Sequence, residues 1–75
     1  MNKERRKQLK ELIKKMDILK GELERIESDE EFAYDNMPEG LQGTLNGMNS
    51  EEAIDKMNEA IEYIDEAIGA IEEII

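Results

Sequence analysis

Three successive heptads, "EAIDKMN", "EAIEYID" and "EAIGAIE", run without interruption through residues 52–72. A seven-residue apolar repeat sustained this long specifies an α-helix whose a and d positions share one face. Ile54, Met57, Ile61, Ile64, Ile68, Ile71 and Ile75 occupy a and d, and Ala53, Ala60, Ala67 and Ile74 occupy g. A stripe covering a, d and g is wider than a two-stranded seam and suits a bundle. Isoleucine at both a and d disfavours a simple parallel dimer. The start of this helix is marked by "MNSEEA": either Asn49 caps, with Glu52 closing a capping box, or Ser50 caps, with Glu51 and Glu52 favouring the helix dipole.

The first half of the chain carries the same periodicity. Leu9, Met16, Leu23 and Met37 fall at a, Leu12, Leu19, Ile26 and Ala33 at d, and Ile13 widens the stripe. Glu30 interrupts it. Asn2 is the expected N-cap, and Pro38, which has no N–H and restricts Met37, is the expected stop. Gly21 lies on the outer face, where it weakens the helix by ~1 kcal/mol relative to Ala. The expected fold is all-α, a single domain over 1–75: helix 2–36, a structured loop 37–49 and helix 50–75, folded back as a long antiparallel hairpin. The helices would be roughly 50 and 40 Å long. A lone hairpin leaves its wide isoleucine face open, so the expected state is a homo-oligomeric bundle, most simply an antiparallel dimer of hairpins. Ile54, Met57, Ile61, Ile64, Ile68 and Ile71 are the expected interface.

Composition narrows the function. With neither Cys nor His, the chain has no disulfide, no zinc site of the usual kind, and no Ser–His or Cys–His nucleophile pair. The absence of Cys fits a reducing compartment, and the expected location is the cytoplasm of a bacterial host. No apolar run is long enough to span a membrane, and the basic start lacks the apolar segment of a signal peptide.

The net charge of −10 is unevenly placed. Residues 1–20 hold eight Lys or Arg against Glu4, Glu11 and Asp17, a net of +5. Residues 21–75 hold Arg25 and Lys56 against seventeen acids, a net of −15. Such a balance argues against duplex nucleic acid as a partner. Its plainest reading is self-pairing, with the basic start of the first helix beside the acidic end of the second.

The loop carries most of the uncommon residues. About thirteen residues exceed the roughly two to eight that join helices in bundles. Met37, Leu41, Leu45 and Met48 read as packing anchors, and Gly40, Gly43 and Gly47 as permitting positive-φ turns. "DNMPEGLQGTLN" has the Asp and Gly of a calcium-binding loop, but Met37 and Asn46 stand where ligands are needed, so no metal site is expected. "GLQG" lacks the lysine and length of a phosphate loop. The plainer reading is an Ω-like end cap. The functional one is a ligand pocket built from Phe32, Tyr34, Asp35, Asn36, Pro38, Gln42, Gly43 and Thr44. An anionic ligand would also need Arg5, Arg6, Lys3 or Lys10, which an antiparallel second chain would bring to this loop. No enzyme activity and no cofactor are expected.

"EEFAYDNMPEGLQGT", followed by "NSEEAIDKMNEAIEYIDEAI", resembles small acidic helical-hairpin proteins encoded by phages and prophages of Gram-positive bacteria. The resemblance covers about residues 28–68 and rests on Tyr34-Asp35-Asn36-Met37-Pro38-Glu39 with Leu41-Gln42. Thr44 replaces the Ser of that pattern, and Asn46 stands before Gly47 where the pattern has Arg. In size and style the chain is similar to phage sponges of the Sequestin type, which sequester nucleotide signals of bacterial immunity. The resemblance implies a non-catalytic, anti-defence binding protein. The alternatives are an acidic inhibitor or adaptor that mimics nucleic acid toward a basic protein partner, and a purely structural oligomer.

Overall fold

A computed structural model describes residues 1–75, and every element in it is helical: α1 (Lys3–Asp35), α2 (Glu39–Gln42) and α3 (Leu45–Glu72). Of 62 backbone hydrogen bonds, 53 lie inside the helices, so the tertiary arrangement rests on side-chain packing between them. Asn2 caps α1 as expected, its Oδ1 accepting from the Arg5 N–H at 2.8 Å. At the other end α1 stops at Asp35, three residues before Pro38. The N–H groups of Asn36 and Met37 return to the carbonyls of Phe32 and Tyr34 at 3.1 and 3.0 Å.

The expected long loop is largely helix. Pro38 opens the single turn of α2, its carbonyl accepting from Leu41 and Gln42. α3 then begins at Leu45 behind Thr44, five residues before the expected start at 50. Asn49 and Ser50 therefore lie within the helix, and neither caps it. Gly47 is the reason α3 can begin so early. A Cβ at this position would come within 2.7 Å of the Gln42 Cα and closer still to its carbonyl. Only glycine lets the first turn of α3 lie directly on α2. The predicted role of the glycines was different, and no residue has positive φ. Leu41, Leu45 and Met48 are exposed, so they do not anchor the cap.

α1 and α3 pack as an antiparallel hairpin with principal extents of 58 × 15 × 12 Å. Their register is marked by three pairs: Lys20 with Asp65, Glu27 with Asn58, and Tyr34 with Glu51. Each step of seven along α1 is a step of seven back along α3. The seam uses the expected a and d positions of α3. On α1 it corrects the expectation. The shielded residues are Leu9, Ile13, Met16, Lys20, Leu23, Glu27, Glu30, Tyr34 and Met37. These are a and e positions, and Leu12, Leu19, Ile26 and Ala33 at d are exposed. The apolar stripe of α1 is wider than one helix can cover. Turning it toward e gives Lys20 a carboxylate partner and leaves d uncovered.

The resulting core is thin. Ile68 is the one apolar side chain buried within the chain, at 7 % exposure, and Glu27 is buried beside the seam. The accessible surface is 5786 Å², against about 4,700 Å² for a compact monomer of this mass. We predict that Gly47→Ala destabilises the hairpin by about 1–3 kcal/mol, because the added methyl meets backbone that cannot rotate away. A drop in the thermal midpoint by circular dichroism, against an unchanged or raised midpoint for Gly40→Ala in open space, checks this.

Candidate functional site

The two ends of the hairpin have opposite chemistry. At the loop end, the polar groups selected from sequence are committed to holding the chain's own backbone. The Gln42 side-chain amide donates to the carbonyls of Tyr34 and Met37 at 3.1 and 3.2 Å. Asn36 Nδ2 donates to the Phe32 carbonyl at 2.7 Å, and Thr44 Oγ1 donates to the Leu41 carbonyl. Gly43 is the C-cap of α2, and Pro38 is its N-cap. Phe32 and Tyr34 diverge. Phe32 stands on the outer face of α1 at 72 % exposure, whereas Tyr34 is half-buried in the seam.

A shallow hollow of about 220 Å³ opens beside Tyr34, lined also by Glu31, Asp35, Glu51, Ile54 and Asp55. Burial, and then the neighbouring Glu51 carboxylate, push the Tyr34 hydroxyl above its ordinary range. Four carboxylates and no cation make this end unfavourable for a phosphate by itself.

The other end is cationic. Lys3, Arg6, Lys7 and Lys10, with Glu4 and Ile75, line an open concavity of about 690 Å³. Their spacing of i, i+3, i+4 and i+7 is one helical face, a signal legible in sequence that should have added Lys7. Arg6 and Lys10 come together here as expected. Arg5 turns instead onto the d flank of α1, beside Met1, Gln8, Leu9 and Leu12. Within one chain the two ends stand a hairpin length apart, so the structure does not unite the loop residues with Arg5, Arg6 and Lys10.

The expected self-pairing of charge is also corrected. The ion pairs are Lys20–Asp65 at 2.7 Å, across the helices, and Lys56–Glu59 at 3.3 Å, within α3. Seven cations between residues 3 and 15 make none. The acids of α3 near them, Glu72 and Glu73, lie at the last turn, and most of the acidic excess sits toward the loop. Ile54, Met57, Ile61, Ile64, Ile68 and Ile71, assigned from sequence to an oligomer interface, face α1 inside the chain. Tyr63, the third aromatic, is exposed and donates to Glu59 at 2.6 Å.

Lys20, Glu27 and Glu30 put charge in the seam itself. The hydrogen bond to Asp65 raises the Lys20 ammonium above its ordinary value, against the effect of desolvation. Glu27 is raised by burial and then by Glu31 one turn away, while Asn58 opposes the shift. No helix is long and apolar enough to cross a membrane. Comparison with protein-family models, curated proteins and solved structures finds no match.

The seam generates a pH-dependent prediction. A carboxyl raised in the folded state binds its proton more tightly there than when unfolded. It therefore costs stability as pH rises through and above the ordinary glutamate value of 4.5. Glu27→Gln should melt higher than the parent at neutral pH, and the two should converge as pH falls below that value. Equal midpoints at pH 7 would contradict the argument.

Proposed function

We propose that this chain is a non-catalytic binding protein that sequesters a nucleotide-derived anion, acting as a phage or prophage anti-defence sponge in the cytoplasm of a bacterial host. The observation that carries the reading is the basic concavity. Lys3, Arg6, Lys7 and Lys10 converge on one face with no internal ion-pair partner. A volume of about 690 Å³ falls within the roughly 300–1,000 Å³ typical of small-molecule sites.

Clustered cations of this kind favour phosphate groups. Arg6 can grip two oxygens of one phosphate, and the lysines add point charge. Glu4, at the same rim, can accept from a ribose hydroxyl, as acidic residues do in dinucleotide sites. The similarity in size and style to phage sponges is an analogy that points to the same class of role.

A second reading has its own observation. Glu31, Asp35, Glu51 and Asp55 surround the hollow beside Tyr34, and the surface from residue 21 onward carries −15. That surface suits a basic protein partner, toward which the chain would act as an acidic inhibitor or adaptor.

Thermal shift against cyclic dinucleotides, cyclic ADP-ribose isomers and inorganic phosphate separates the two. Sequestration predicts a midpoint rise with at least one nucleotide. The stabilisation would grow by about 1.4 kcal/mol per tenfold excess of ligand over Kd. Arg6→Ala with Lys10→Ala should abolish the rise while leaving the unliganded midpoint within a few degrees. No rise with any nucleotide at large excess would sink the sponge reading.

A further inference from the structure

We propose that the flank left open by the seam is where a second copy of this chain packs, antiparallel to the first. The inference stands apart from the ligand reading, since it needs no ligand. Lys20–Asp65, Glu27–Asn58 and Tyr34–Glu51 mark one edge of the helix pair. The same heptads then fix the opposite edge, one residue earlier on α1 and two residues later on α3. On α1 that edge carries Leu12, Leu19, Ile26 and Ala33, and on α3 and the turn after it Ala53, Ala60, Ala67 and Ile74. Each of the three pairs puts polar groups on the first edge. The other holds eight side chains without a polar atom, and Leu12, Leu19, Ile26 and Ile74 are each 44 % exposed or more.

Three observations identify the occupant as a second copy. The first is need. A chain with one buried apolar side chain, no cysteine and no metal-holding cluster lacks any other means of stabilising a hairpin of this length. The second is size. The surface in excess of a compact monomer is on the order of 1,000 Å², close to the ~800 Å² that a standard interface takes from each partner. The third is charge. Seven unpaired cations stand at one end of the hairpin and the densest acids at the other, so reversing one copy against another sets each basic end beside an acidic one. A parallel pair would instead place fourteen cations together. At its centre the patch also sets large side chains beside small ones, Leu19 and Ile26 across from Ala67 and Ala60, which gives a self-complementary two-fold interface knobs and holes of its own.

The chain has no cysteine, so orientation can be read from single-cysteine variants. Sedimentation equilibrium at micromolar concentration should return twice 8.7 kDa. Leu19→Glu should abolish the dimer mass, whether the monomer stays folded or not. Ile18→Glu, equally exposed but on the outer face, should keep it. Mixing Gln8→Cys with Asp29→Cys under oxidation should give a mixed disulfide. A folded monomer for the parent chain, a dimer that survives Leu19→Glu, or disulfides formed only between identical variants would each overturn the proposal.

Discussion

The isoleucine stripe of α3 has one surface to pack against, the strip of α1 from Leu9 to Met37, and Lys20, Glu27 and Glu30 interrupt that strip. Everything else in the hairpin follows from this partly polar seam. Charged residues there bury little apolar area, so the chain ends with Ile68 as its lone buried apolar side chain. What they contribute is register. Lys20 meets Asp65 at 2.7 Å, and a shift of one residue along α3 would replace that carboxylate with Ile64 or Glu66 and turn the isoleucines away from α1.

The same rotation of α1 decides which surfaces remain for binding. Facing e toward α3 puts the polar edge on one side and the Leu12–Ile74 flank on the other. It also carries Arg5 away from Arg6 and Lys10, onto the apolar flank. The basic concavity and the acidic hollow sit at opposite ends because the hairpin is antiparallel and its charges are segregated along α1.

The loop end shows how reading residues by type misleads when their neighbours are unknown. Asn36, Gln42 and Thr44 have the donors and acceptors expected of a recognition site, and all three donate to carbonyls of the chain's own backbone, Gln42 reaching back to Tyr34 and Met37. Gly47 reads in sequence as a residue for a positive-φ turn, and it is instead a contact point where α3 rests on the Gln42 backbone. Neither fact is visible without the path of the chain. The i, i+3, i+4, i+7 spacing of Lys3, Arg6, Lys7 and Lys10 was there to be read, because helical periodicity alone puts them on one face.

Local pattern therefore determined the two long helices, the cap at Asn2, the stop before Pro38 and the cationic face, since each depends on residues within a turn or two of one another. Heptads name the residues that can lie in a seam, yet α1 offered both d and e beside a, with apolar residues at each. The choice between them was made across space, by the carboxylate of Asp65 and the bulk of the isoleucine stripe. So was the early start of α3, which rests on a contact between Gly47 and a separate helical turn. Only the tertiary structure could place Leu12, Leu19 and Ile26 outside, because which side of a helix is covered depends on what lies opposite it.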